Sequence, residues 1–171
     1  MARKVFISVL GTGYYSKTKY YCENKDENVE THFIQEAMLK FYSNEFKKND
    51  KAYLFLTRKA RNDNWESPAQ KNNKFVIEGK SDSYQGLEET LKGFDFDVIS
   101  KDIPDGNNEE EIWEIFQKVF DVLELEDEVY FDITHAFRSI PMLIMVLINY
   151  AKFLKKINVK SITYGNWEGR D

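Results

Sequence analysis

The sequence holds one cysteine, Cys22, among 171 residues. A lone thiol excludes an intramolecular disulfide and a cysteine-rich zinc site, and it suits a reducing, cytoplasmic setting. Basic residues are in deficit: 24 lysines and arginines stand against 29 acids, for a net charge of −5. That balance predicts no general electrostatic hold on a long nucleic acid, although one basic side chain can still serve one phosphate of a short, enclosed nucleotide. Long apolar runs are also missing. The longest, Ile140 to Ile148, falls well short of the roughly 20 residues a membrane helix needs, and it reads as a helix buried on most of its faces. The opening ARKVFISVL is too short for a signal peptide and leads straight into Gly11-Thr12-Gly13. With no internal repeat and no low-complexity tract, a chain of this length suits one domain with its own core.

The most informative stretch is EVYFDITHAFRSIPMLIMVLINYAKFL, Glu128 to Leu154. Val129 to Ile133 reads as a buried strand and Phe137 to Leu154 as a long apolar helix. Between them Asp132, Thr134, His135, Arg138 and Ser139 crowd into one polar turn. Open parallel sheets bind ligands beyond the carboxyl ends of their strands, and the start of a helix offers free N–H groups to an anion. A phosphate is therefore expected here. Helix capping by Thr134 and Ser139, with His135 completing a hydrogen-bond network, accounts for the same residues equally well.

Earlier in the chain, KVFISVL (Lys4 to Leu10) predicts a central parallel strand that stops at Gly11-Thr12-Gly13-Tyr14-Tyr15. Two glycines permit a sharp turn and a close approach of backbone to ligand, but the full dinucleotide-binding fingerprint is absent. Ser16 to Glu30 predicts a loop or irregular hairpin, and Thr31 to Phe46 a helix with Thr31 as its cap and His32 as a surface or capping residue. Lys51 to Thr57 is the second strand; it ends in Thr57, Arg58 and Lys59. Arg61 to Lys74 predicts a loop or short helix, Phe75 to Ile77 a short extra strand, Gly86 to Gly93 a short helix, and Asp95 to Ser100 a strand. Glu109 to Leu125 has apolar residues at helical spacing and acids at its start, and Val159 to Tyr164 predicts the last strand. Strands alternating with helices give an α/β fold: a Rossmann-like, mostly parallel open sheet with helices on both faces. The chain stops just after a strand, which suggests a fragment or a domain whose successor lies elsewhere.

KVFISVLGTGYY, FIQEAML, YLFLT, GLEETL and above all FDITHAFRSIPML resemble the CRISPR-associated Rossmann-fold (CARF) domain, and more narrowly its branch named for an Asp-x-Thr-His-Gly motif. The likeness runs over nearly the whole chain, residues 1–171, and keeps the order of elements. Ala136 departs from it, standing where the family has glycine; alanine disfavours positive φ. The resemblance implies a sensor of cyclic oligoadenylate, the tetra- or hexa-adenylate ring, in an ancillary protein of a type III CRISPR system. It also implies a symmetric homodimer with the ring across its two-fold axis, which suits a ligand that is itself symmetric. Carried over by position, the ligand residues are Gly11, Thr12, Gly13, Tyr14, Thr134, His135 and Arg138. Thr57 and Arg58 are added from their place at a strand end, and Asp132 is assigned to shaping the turn. Tyr14 would stack on adenine, and Arg138 would pair with phosphate or with Asp132.

Relatives often carry a second domain, a HEPN ribonuclease with an arginine shortly before a histidine. His32 and His135 are the two histidines here and neither follows an arginine at that spacing, so the effector is expected on another segment or a partner chain. Two alternatives stand beside the sensor. One is a metal-independent ring nuclease in which a ribose 2′-hydroxyl attacks the neighbouring phosphate, with Thr12, Thr134, His135 and Arg138 as candidates. The other is a generic Rossmann-like nucleotide enzyme, which needs an acid at the end of the second strand, where Thr57 and Arg58 stand instead. Neither a metal nor another cofactor is implied.

Overall fold

The computed structural model describes residues 1–71, 83–136 and 140–166, and in it the run KVFISVL forms β1, Lys4–Leu10. Branched and aromatic side chains suit an extended backbone covered on both sides, and β1 sits in the middle of a five-stranded sheet. β4 (Lys51–Leu56) and then β5 (Asp97–Asp102) lie on one side of it, and β6 (Glu128–Asp132) and then β7 (Asn158–Thr163) on the other. Every pairing in this sheet is parallel. Alternate side chains of β1 feed two cores. Phe6 and Leu10 pack with α1 (Ile34–Tyr42) and α3 (Leu87–Thr90); Val5, Ile7 and Val9 pack with α4 (Glu109–Asp121) and α5 (Ile140–Lys155). The expected α/β, Rossmann-like architecture with helices on both faces is what forms. The chain runs outward from β1 to one sheet edge and then resumes at β6 on the other side, so the topological switch point lies between β1 and β6.

One local expectation, the hairpin, holds, and others need correction. The polar segment after β1 is a separate antiparallel hairpin, β2 (Thr18–Tyr21) with β3 (Asn28–Thr31). Thr31 therefore closes a strand, and α1 begins at Ile34; the Thr31 hydroxyl accepts from Phe33 N at 3.2 Å and donates to Glu36. The segment after β4 is helical from its start. Thr57 Oγ1 caps α2 (Arg58–Ala60) by accepting from Ala60 N at 3.2 Å, and α2 continues into a π-helical turn, Arg61–Trp65. Of the loop or short helix expected from Arg61 onward, a helical turn forms first, with Asn64 turned into the protein, where it is fully buried. The extra strand expected at Phe75 to Ile77 lies outside the described residues. α4 ends at Asp121 rather than Leu125.

The long helix is less buried than its composition suggested. Ile140, Ile144, Leu147, Ile148 and Ala151 face the core, while Met142, Val146, Tyr150 and Phe153 form an outer stripe, with Phe153 82% exposed. Both stripes follow helical spacing. No described helix is long and apolar enough to cross a membrane.

Candidate functional site

β1 and β6 are neighbours, with Ser8 opposite Asp132 in the register. The glycine turn and the threonine–histidine turn therefore leave the sheet side by side at its carboxyl edge. A single buried polar chain ties them. Ser8 Oγ donates to Asp132 Oδ2 at 2.7 Å, and Asp132 Oδ1 accepts from Thr134 N at 3.1 Å and from Thr134 Oγ1 at 2.6 Å. Thr134 Oγ1 in turn accepts from Gly165 N at 2.8 Å, beyond the end of β7. Asp132 is 1% exposed, and burial pushes its carboxyl above the usual range against the hydrogen bonds from Thr134 and Ser8. It shapes the turn from within. The single hydroxyl proton of Thr134 is spent on Asp132, so toward a ligand that oxygen can only accept.

His135 follows, half-buried, with its ring 4.3 Å from that of Tyr15. Burial pushes the imidazole below its ordinary value, against the opposing charge of Asp132; a neutral ring at neutral pH results. Gly11 leaves room for this contact. A Cβ there would fall on Tyr15 Oη and lie 3.2 Å from His135 Cβ. His32, expected at the surface or as a cap, instead holds the backbone of this tyrosine pair: its Nδ1 lies 2.7 Å from Tyr15 O, and its ring stacks on Tyr84 at 3.9 Å. A carbonyl only accepts, so Nδ1 carries a proton. Ala136 is not among the non-glycine residues with positive φ, which among the described residues are Gln70, Glu126 and Lys156. Alanine thus replaces the expected glycine without strain.

A groove of about 1030 Å³ opens between the β2–β3 hairpin, α1 and the ends of β6 and β7. Among the described residues that line it, none is acidic, Lys19 brings a positive charge, and five are tyrosines: Tyr14, Tyr15, Tyr20, Tyr21 and Tyr164. Of the residues singled out in the sequence, Tyr14, Thr134 and His135 line this groove. Gly11 abuts His135 from the next strand, and Thr12 and Gly13 are exposed on the same turn. Thr57 is 2% exposed and its hydroxyl is occupied in capping α2, while Arg58 is exposed; neither lines the groove. Arg138 lies outside the described residues. No group of three or more potential metal ligands occurs among the described residues.

Sequence reasoning missed Asn64 and Gln70, whose side-chain amides hold the carbonyls of the glycine turn. It also missed Tyr15, Ser8 and the Gly165–Asn166 segment. Ser8 did leave a signal, as the one hydroxyl inside an otherwise apolar strand.

Two comparisons bear on this geometry. The family model described as the CARF domain of the CRISPR system endoribonuclease Csx1 matches residues 5–168. The CRISPR-associated protein MJ1674 of Methanocaldococcus jannaschii is 28% identical over an alignment that covers 95% of this chain and 31% of that protein. The chain thus spans about a third of the length of that relative.

Proposed function

The chain belongs to the family of CARF domains of the CRISPR system endoribonuclease Csx1, and from that premise we propose that residues 1–171 are the sensor domain of a type III CRISPR ancillary protein. Its ligand in this reading is a cyclic oligoadenylate, the tetra- or hexa-adenylate ring, held across the two-fold axis of a homodimer. The observation that carries the reading is the placement of the two turns on adjacent strands at the switch point, beside a groove rich in tyrosine and with no acid among its described lining residues. Aromatic faces stack on bases at a gain of about 1–3 kcal/mol each, and the described lining residues bring no carboxylate to repel phosphates. The effector belongs, in this reading, to a further segment or a partner chain, and the protein works in the cytoplasm.

The dimer is supported by α5, the helix that follows the threonine–histidine turn. Its outer stripe of Met142, Val146, Tyr150 and Phe153 is the kind of apolar surface that a second copy covers. A two-fold axis along it would bring two turns to one ring.

Calorimetric titration with cyclic tri-, tetra- and hexa-adenylate, alongside the linear oligomers, tests the reading. One ring per two chains is expected, with the linear oligomers weaker. In Phe153→Glu, a charge on the stripe is expected to shift the protein to monomer in light scattering and to weaken ring binding with it. No binding of any ring overturns the proposal, and a wild-type monomer that still binds one ring per chain overturns its dimer. Chromatography of the recovered ring separates the sensor from the ring nuclease. The nuclease reading requires a 2′-hydroxyl to attack the adjacent phosphate and expel the 5′-oxygen, leaving a 2′,3′-cyclic phosphate and a 5′-hydroxyl. An intact ring after long incubation removes it.

A further inference from the structure

The glycine turn does not hold its own shape. Asn64, fully buried, donates from Nδ2 to Gly11 O at 2.8 Å and to Gly13 O at 3.0 Å. Gln70 donates from Nε2 to Gly13 O at 2.9 Å, to Thr12 O at 3.3 Å and to Asn64 Oδ1 at 2.8 Å. The Tyr84 hydroxyl also donates to Asn64 Oδ1, at 3.4 Å, and accepts from Tyr15 N at 3.2 Å. Two donors on Oδ1 and two carbonyls on Nδ2 fix which way the Asn64 amide faces. Gln70 is itself held at φ 56, a left-handed conformation that non-glycine residues rarely adopt and that surrounding bonds must sustain.

Three successive carbonyls are thereby drawn toward two side-chain amides. In a planar trans peptide the N–H points opposite to the C=O. The N–H groups of Thr12, Gly13 and Tyr14 must then point away from Asn64 and Gln70. Thr12 is exposed and its N–H donates to no described residue, whereas the Gly13 N–H faces the Tyr15 hydroxyl. An exposed amide held in that direction offers an anion a preset hydrogen bond.

We infer that Asn64, backed by Gln70, is a positioning residue that turns the Thr12 backbone amide outward to take a ring phosphate. The inference rests on the ring-binding reading above and adds the residue that presets the site. Asparagine is needed because one atom must give two hydrogen bonds. In Asn64→Asp the atom facing Gly11 and Gly13 becomes an oxygen. Ionised, it repels both carbonyls; protonated, it can donate to one of them.

The test is ring binding by wild type and Asn64→Asp at pH 8 and pH 5, with thermal melts to confirm folding. At pH 8 the variant is expected to bind roughly tenfold or more weakly than wild type. At pH 5 the deficit, taken against wild type at the same pH, is expected to shrink as the carboxyl gains its proton. Equal binding at pH 8, or a deficit that does not change with pH, overturns the inference. If wild type binds no ring, the ligand reading falls, and hydrogen exchange of the Asn64 side-chain amide in the unliganded protein decides the clamp alone. Protection of about a hundredfold over the exposed Asn107 amide is expected; exchange as fast as that of Asn107 overturns it.

Discussion

Thr134 offers the sharpest test of how the site is built. Its Oγ1 donates to the buried Asp132 Oδ1 at 2.6 Å and accepts from Gly165 N at 2.8 Å. Thr134→Val keeps the shape and the Cγ2 methyl but removes both bonds. A bond to a carboxylate contributes about 1.5–3 kcal/mol net and a neutral one about 1 kcal/mol. Asp132 keeps its bonds from Thr134 N and Ser8 Oγ, so the carboxylate is weakened rather than abandoned. The expected loss is therefore about 3 kcal/mol. For a chain of 171 residues at roughly 2–4 °C per kcal/mol, that lowers Tm by about 9 °C. Urea unfolding of wild type, Thr134→Val and Thr134→Ser measures it. Serine retains both bonds and should lie within about 1 kcal/mol of wild type. A valine variant as stable as wild type would refute the reasoning, because the hydroxyl would then contribute nothing as the junction of Asp132 and Gly165.

Gly11→Ala should displace the Tyr15 ring from His135, at a cost of about 1–3 kcal/mol for an overpacked site, and should weaken ring binding with it; melts and titrations that match wild type would show that the turn has room for a methyl group. The pH dependence of stability should carry the mark of His135. Its folded-state pKa lies below the ordinary value because of burial, so the unfolded chain binds the proton more readily and stability falls as pH drops below about 6.5, levelling off beneath the folded-state pKa. Asp132, raised by burial, acts in the opposite sense, since stability falls as pH rises above its unfolded-state value. The two are separated by His135→Gln: the difference in unfolding free energy between variant and wild type should change with pH below about 6.5 and be flat above it. A difference that stays constant from pH 5 to 8 would mean that His135 titrates as it does in the unfolded chain.

Much of the frame was legible because strands buried on both faces leave a strong mark. KVFISVL, KAYLFL and EVYFD are continuous apolar runs, and between them α1 and α4 repeat at helical spacing. The adjacency of the two turns came from the strand order, which sets β6 beside β1. Side-chain supports left far less trace. Asn64 sits in RNDNW, where four polar residues in five suggested solvent, yet its amide is buried under the glycine turn. Only tertiary contact reveals that kind of residue, since neither period nor composition separates an inward asparagine from an outward one. The same limit applied to α5. Apolar residues on both sides suggested burial on most faces, but the core takes only one side of the helix, and Met142, Val146, Tyr150 and Phe153 stay exposed. Thr57 shows the reverse case, a strand-end hydroxyl whose position suggested a ligand and whose proximity to Ala60 N makes it a cap.

The bond from Gly165 N to Thr134 Oγ1 joins the peptide leaving the last strand to the rim of the groove. The hydroxyl proton of Thr134 is already committed to a buried carboxylate, so the threonine cannot swing toward an incoming molecule without either dragging that peptide or letting it go. The turn after β6 and the peptide after β7 thus share one hydroxyl as their hinge pin, and neither shifts far while that bond holds.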